Sequence, residues 1–174
     1  MVSLRPPSAA DGPEFIELMR ASRALHHPWS TPPLDDDMFA AMLARTAGDD
    51  YDVQLVCLRE GGAITGYFAL SQIVRGAFQN AYLGYDGSAP YAGRGYMRAG
   101  LELMLRHAFG AQRLHRLEAN LQPGNDRSRA LVEGAGFRRE GFSPRYLKIG
   151  GRWRDHERWA LTADEWRARP ASAR

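Results

Sequence analysis

The chain has 174 residues, of which 44% are hydrophobic and 25% are charged, and its formal net charge is +3. It has no apolar run long enough to cross a membrane and no secretory signal at residues 1–6, so we expect one cytoplasmic domain over residues 1–174 with no membrane partner and no direct nucleic-acid binding. Because Cys57 is the only cysteine and the five histidines lack metal-ligand spacing, an internal disulfide is excluded and no metal is predicted.

The first half of the chain reads as a short strand, two helices and three longer strands. Periodicity and turn residues predict a strand at Ser3–Pro6, helices at Pro13–Leu25 and Asp36–Arg45, and strands at Tyr51–Arg59, Ala63–Val74 and Ala77–Tyr85. A loop rich in His and Pro separates the two helices. Glu60-Gly61-Gly62 is typical of a hairpin turn between the first two long strands.

A glycine turn, Gly93-Arg94-Gly95, leads from the third long strand into a strong helix that ends near Gly110. The start of a helix offers unpaired backbone N–H groups and a positive dipole end, and glycine lets a phosphate approach the backbone closely. The turn therefore predicts a site for a diphosphate-bearing cofactor. A dinucleotide fingerprint would need a glycine at Arg98, and the chain has no P-loop, so NAD and ATP are not favoured.

The rest of the chain adds strands on both sides of a short helix. A strand is predicted at Leu114–Leu121, a helix at Asp126–Glu133, and two final strands that meet at Gly150-Gly151. In the last strand, period-two alternation predicts that Trp153 and Asp155 lie on a buried face. Residues 169–174 are predicted to be disordered. The order of elements indicates a mixed α/β domain.

Two segments resemble the GNAT superfamily of N-acetyltransferases: the glycine turn, and the stretch from Asn120-Leu121-Gln122-Pro123-Gly124 to Asn125-Asp126-Arg127-Ser128. A closer similarity to the RimJ/RimL-like branch, the ribosomal-protein alanine N-acetyltransferase type, shows in residues 71–78, 82–85 and 146–156. It covers roughly residues 50 to 166. The resemblance implies an α/β (α+β) GNAT fold, in which helices flank a splayed, mixed, mostly antiparallel sheet of seven strands.

The resemblance also implies acetyl-CoA as cosubstrate. Its pyrophosphate is expected on the backbone of Gly93, Arg94, Gly95, Tyr96 and Met97; because Ala92 and Met97 depart from the family pattern, backbone amides must make the contact. The pantetheine arm is expected along Leu83, Gly84 and Tyr85, where Gly84 fits a β-bulge. Asn120, Asn125 and Ser128 complete the expected cofactor contacts, although Asn125 also stands where a helix N-cap would bond the amide of Ser128.

Catalytic roles follow from the same resemblance. Ser128 stands where Rim-type enzymes have a serine that protonates the departing thiolate, and Val132 stands where many other members have a tyrosine acid. Tyr82 occupies the place of a glutamate base and would at most orient a water molecule. Asp155, if it lies in apolar surroundings, is a candidate base, with a structural ion pair as the alternative.

The acceptor side is expected to include Trp29 and Tyr146, unless both residues only anchor loops. We predict an enzyme that transfers acetyl directly from acetyl-CoA to a primary amine, above all a protein N-terminal α-amine such as that of a ribosomal protein. We expect a monomer or a homodimer. The alternatives are an acetyltransferase for a small-molecule amine, such as an antibiotic or aminoacyl conjugate, and a non-catalytic acyl-CoA-binding module.

Overall fold

The computed structural model describes residues 1–170; residues 171–174 of the predicted disordered tail lie outside the described part. The strands are β1 (Val2–Arg5), β2 (Tyr51–Leu58), β3 (Ile64–Val74), β4 (Asn80–Gly87), β5 (Arg116–Leu121), β6 (Arg138–Ile149) and β7 (Arg152–Thr162). The helices are α1 (Gly12–Ala21), α2 (Arg23–His26), α3 (Asp36–Arg45), α4 (Tyr96–Arg106), α5 (Asp126–Gly134) and α6 (Ala163–Ala168). None of these helices is long and apolar enough to span a membrane.

All seven strands belong to one sheet with the order β1-β2-β3-β4-β5-β7-β6. The contact between β4 and β5 is parallel, and the other neighbours pair in antiparallel fashion. The parallel contact is short, running only from Asn80↔Arg116 to Tyr82↔Glu118. Both strands continue beyond it without pairing to each other, so the sheet splays into two halves. This confirms the predicted seven-stranded, mostly antiparallel arrangement.

Helices cover both faces of the sheet because side chains alternate along each strand. One core packs the apolar side of α4, including Leu101, Met104 and Leu105, against the strands. The other core packs α1 and α3 against β2 and β3 on the opposite face. At Gly100, an added Cβ would lie 2.9 Å from a methyl carbon of Val56, so glycine lets α4 lie close to the sheet.

The structure differs from the sequence expectation in two helical segments and at the start of the predicted tail. The helix predicted over Pro13–Leu25 is confirmed except at Ser22, where a turn separates α1, which ends at Ala21, from α2, which begins at Arg23. At this junction, buried Ser22 donates from Oγ to the carbonyl of Leu18 (2.6 Å) and accepts from the amide of Ala89 (2.7 Å). The unpredicted helix α6 begins with a capping box formed by Thr162 and Glu165.

The third difference concerns the start of the predicted tail. Arg169 pairs with Glu102 of α4, with 2.8 Å between Nη2 and Oε1, and it also donates to the carbonyl of Ala135 (2.9 Å). These contacts attach the end of the described chain to α4 and to the end of α5.

Candidate active site

A cleft opens where β4 and β5 separate, and its volume is about 1080 Å³. The unpaired ends of both strands line it, together with the glycine turn and the start of α5. Of the predicted site residues, the lining includes Trp29, Leu83, Gly84, Tyr85, Gly93, Gly95, Tyr96, Met97, Asn120, Asn125 and Ser128. Tyr82, Arg94, Tyr146 and Asp155 are not part of the lining. The splay therefore brings together most of the predicted cofactor contacts.

The glycine turn has the backbone that an anion site needs. Gly93 and Gly95 have φ of +75° and +78°, a left-handed conformation that other L-residues adopt only with strain. Gly95 is the N-cap of α4, and the first turn of this helix has no acidic side chain. The positive end of the helix dipole is therefore not offset by a local carboxylate, and the turn and the first helical residues line the cleft.

The strand β4 presents free backbone to the cleft on its β5 side. The bulge predicted at Gly84 is wrong, because the register with β3 runs unbroken through Ala69↔Gly84 and shifts only between Ser71 and Val74. Tyr85 reaches across the cleft and donates from its hydroxyl to the carbonyl of Ser128 (3.4 Å). Burial raises the pKa of Tyr85 to about 12, so this hydroxyl stays protonated.

The start of α5 places two predicted residues on the opposite wall. Asn125 caps the helix, its Oδ1 accepting from the amide of Ser128 (3.2 Å). The cap uses the oxygen and leaves the Nδ2 donors for a ligand. On β5, Oδ1 of Asn120 is buried and has no hydrogen-bond partner among the described residues. A buried acceptor of this kind is costly unless a ligand donates to it.

Tyr82 and Tyr146 lie together beside the cleft. The neighbouring hydroxyl of Tyr146, together with burial, raises the pKa of Tyr82 to about 12. The ring of Tyr146 also lies against the ring of His156, with 6.2 Å between their centroids. The predicted residues thus form a cluster with a histidine that sequence reasoning had treated as structural.

The surroundings predicted for Asp155 are wrong. Its side chain is exposed, and its carboxylate accepts from the amide of Arg145 (2.8 Å). This bond closes a bulge in which residues 144–146 of β6 stand opposite Asp155 alone, between Ser143↔His156 and Leu147↔Arg154. Trp153, also predicted to be buried, is 61% exposed. Asp155 therefore stabilises a bulge outside the cleft.

His156, next in sequence, lines the cleft and is only 2% exposed. Its Nδ1 lies 2.9 Å from the carbonyl oxygen of Arg154. Burial lowers the pKa of His156, against weaker opposing effects of that carbonyl and of the Asp155 carboxylate. The imidazole is therefore neutral at neutral pH.

The loop between α2 and α3 contributes to the cleft lining and carries Trp29. Buried Gln122, just past β5, donates from Nε2 to the carbonyls of Pro28 (3.1 Å) and Trp29 (2.9 Å). From the other half of the sheet, Asp86 accepts a short hydrogen bond from Ser30. The loop thus bridges the two separated strands, which places Trp29 over the cleft.

Asp86 is the main acidic group of the lining that sequence reasoning missed. It is buried on β4, and Oδ2 accepts from the hydroxyl of Tyr67 (2.8 Å). Burial raises the pKa of this carboxyl, while Ser30, His26 and Tyr67 favour its charged form. The period-two alternation of side chains along β4 could have identified Asp86, because it lies on the same face of the strand as the predicted site residues Tyr82 and Gly84.

Comparisons with known proteins agree with this geometry. A family model described as acetyltransferase (GNAT) domain matches residues 2–138. The [ribosomal protein uS5]-alanine N-acetyltransferase of Escherichia coli K12 is 41% identical over 103 residues, which are 59% of this chain. The match spans about half of that relative, 53% of its length.

Two further similarities cover nearly the whole chain. The probable N-acetyltransferase YjcK of Bacillus subtilis is 30% identical over 169 residues, 92% of this chain and 93% of that protein. The structure of Mycobacterium smegmatis RimJ in complex with CoA-disulfide superposes with a TM-score of 0.87 at 29% identity, covering 99% of this chain and 86% of that one.

Proposed function

The chain belongs to the GNAT family of acetyltransferases, and we propose that it transfers the acetyl group of acetyl-CoA directly to the α-amine of a protein N-terminus, of the ribosomal-protein alanine type. The observation that carries this proposal is the cleft between β4 and β5. Its lining includes both the glycine turn, which suits an anion, and aromatic side chains such as Trp29. A donor and an acceptor can therefore meet in one cavity.

The residues of the cleft fit acetyl-CoA. The left-handed glycines leave the N–H groups of residues 93–97 open to a pyrophosphate, and an added Cβ at Gly93 or Gly95 would meet no atom within 4 Å. The orphaned Oδ1 of Asn120 can accept from an amide of the pantetheine arm, and Nδ2 of Asn125 can donate to one. Leu83, Gly84 and Tyr85 supply unpaired backbone groups along the arm. Once bound, acetyl-CoA supplies an acyl thioester that is activated toward an amine.

Two hydroxyls have distinct roles in this proposal. Ser128 lines the cleft at the start of α5, and its Oγ supplies the proton for the departing thiolate. Tyr82 cannot serve as a base near neutral pH, because its pKa of about 12 keeps the phenol protonated. It acts by holding Tyr146 in position.

The acceptor pocket suits a primary amine that arrives as an ammonium ion. Aromatic side chains line this end, including Trp29, Tyr51 and Tyr67, and Asp86 places an acidic group beneath them. Charge and shape thus favour a small cationic group at the end of a chain, such as a peptide N-terminus. The 41% identity with a ribosomal-protein alanine acetyltransferase supports this acceptor class.

The proposal is tested by mass spectrometry of acetyl transfer to an alanine- or serine-starting peptide. The control is the same peptide with a blocked N-terminus and an internal lysine. We expect modification of the free α-amine alone, and Trp29→Ala should weaken it by raising the KM for the peptide. Acetylation of a small amine but of neither peptide would favour a small-molecule acceptor. Binding of acetyl-CoA without any transfer would favour a non-catalytic module.

A further inference from the structure

The proposed reaction still requires a general base for the attacking amine, and His156 has the geometry of such a base. The Arg154 carbonyl can only accept a hydrogen bond, so the 2.9 Å contact fixes the ring hydrogen on Nδ1. The lone pair then resides on Nε2, at the far edge of the ring from its own strand. No described residue donates a hydrogen bond to Nε2, and the side chain lines the cleft.

Among the other acidic groups and histidines near the cleft, Asp126 is exposed at the start of α5 and pairs with Arg129 (3.3 Å), and the rest are engaged or enclosed. Both carboxylate oxygens of Asp86 accept hydrogen bonds, from Ser30 and Tyr67. His26 uses Nε2 on the carbonyl of Gly87 (2.7 Å), and its Nδ1 is fully enclosed by protein. Asp155 accepts from the backbone of a bulge outside the cleft. His156 therefore has the free lone pair that a general base requires.

The electrostatic surroundings keep this lone pair available. The charged neighbour of the ring is Asp155 on its own strand, and the titratable group packed against it from β6 is Tyr146. Burial outweighs the carboxylate and lowers the pKa of His156, so the ring is neutral at the pH where an α-amine begins to lose its proton.

We propose that His156 is the general base of acetyl transfer, accepting at Nε2 the proton of the attacking amine. This inference rests on the proposed function only in requiring an amine acceptor. The acceptor first loses its ammonium proton to water, and the neutral amine nitrogen then forms a bond to the acetyl carbon as the C–S bond of the thioester breaks. The N–H proton passes to Nε2, while the thiolate takes a proton from the Ser128 hydroxyl. Water restores the Ser128 proton and removes the one from His156, leaving an amide and free CoA.

Two substitutions separate basicity from structure. His156→Asn places an amide donor near the position of Nδ1, which retains the bond to the Arg154 carbonyl but removes Nε2. His156→Gln instead places an uncharged amide near the position of Nε2. We expect both variants to bind acetyl-CoA like the wild type by calorimetry and to lose about 10²- to 10⁴-fold in kcat/KM, the contribution typical of general base catalysis. His115→Gln, at an exposed histidine outside the cleft, is the matched control.

The pH dependence identifies the role more directly. The ratio of wild-type to His156→Asn kcat/KM at each pH cancels the titration of the acceptor amine itself. We expect this ratio to fall as pH drops through the pKa of His156, since protonation removes the lone pair. Added imidazole should partly restore turnover in His156→Ala, because the cleft is open. A merely structural role predicts a pH-independent ratio and no rescue.

The outcomes keep the two proposals apart. If the wild type acetylates a small amine but no peptide α-amine, the proposed acceptor is wrong, and the histidine variants are tested on that amine. If the wild type is active and both variants retain kcat/KM within about threefold, well short of a base's usual contribution, His156 is not the base. If neither variant folds, judged by lost acetyl-CoA binding, the imidazole rescue and pH profile of His156→Ala decide.

Discussion

Removing the amide of Gln122 should release the Trp29 loop, which we propose to line the acceptor site, from one half of the splayed sheet. This side chain is 8% exposed and donates to two loop carbonyls, those of Pro28 and Trp29. Each such bond contributes about 0.5–1.5 kcal/mol net, so Gln122→Ala should lower the free energy of unfolding by about 1–3 kcal/mol. The loop remains attached on the β4 side through Ser30 and Asp86.

The loss should appear mainly on the acceptor side. If ordering the released loop costs about 1.4 kcal/mol of free energy when the peptide binds, the KM for the peptide rises about tenfold. The affinity for acetyl-CoA should change less, because Gln122 bonds the Trp29 loop and makes no hydrogen bond to the glycine turn. Steady-state kinetics, calorimetry with acetyl-CoA and hydrogen exchange of residues 27–31 measure the three effects separately.

Two variants make the test specific. Gln122→Glu keeps the shape but places a carboxylate against two carbonyl oxygens, so it should disturb the loop more than Gln122→Ala. Gln54→Ala removes one comparable bond, from Nε2 to Asp52 (2.8 Å), outside the cleft lining, and should leave the peptide KM unchanged. Faster exchange of the loop with an unchanged peptide KM in Gln122→Ala would refute the assignment of this loop to the acceptor site.

Three further predictions concern the cofactor, the acid and stability. Ser128→Ala should reduce kcat at unchanged acetyl-CoA affinity, whereas undiminished turnover would remove this hydroxyl from the mechanism. In Gly95→Ala, the alanine must adopt φ near +78° to form the turn, which costs about 1–2 kcal/mol. If acetyl-CoA binding requires this turn, calorimetry should show a Kd raised about 5- to 30-fold. Gly61→Ala, at an exposed glycine with φ of +79°, is the strain-matched control. The hydrogen bonds from Arg5 hold the pKa of Asp11 at about 2, against 3.8 ordinarily. This pair therefore stabilises the fold above about pH 4, and its contribution is lost as pH falls toward 2. In Asp11→Asn, the free energy of unfolding should decline less over this pH range than in the wild type, by about 1 kcal/mol after solvent screening.

The glycine turn and the start of α4 could be predicted because their signals are local. A strand, a glycine turn and the start of a helix lie within residues 80–106, and their backbone conformations follow from residue type over a few positions. The N-cap at Asn125 is equally local, since a cap bonds an amide three residues away. Helix α6 could have been found in the same way from Thr162 and Glu165.

The position of the Trp29 loop depends on contacts between distant segments of the chain. Gln122 donates a hydrogen bond to a carbonyl 93 residues away in sequence, and Asp86 accepts one from Ser30, which is 56 residues away. No periodicity within one segment predicts such pairs, because they depend on which loop folds over the splay. The sequence could place Trp29 in a loop, but only the two bridges to β4 and β5 bring that loop over the cleft.

The sequence by itself determined which side chains of β7 share a face, and the tertiary structure alone decided which face is buried at each point. Alternation correctly separates Trp159 and Leu161 from His156. The helices cover the face of Trp159 and Leu161, whereas farther along the strand the cleft and Tyr146 cover His156. Asp155 is left in solvent there. Burial depends on what packs against a strand, and that covering is supplied by segments far away in the chain.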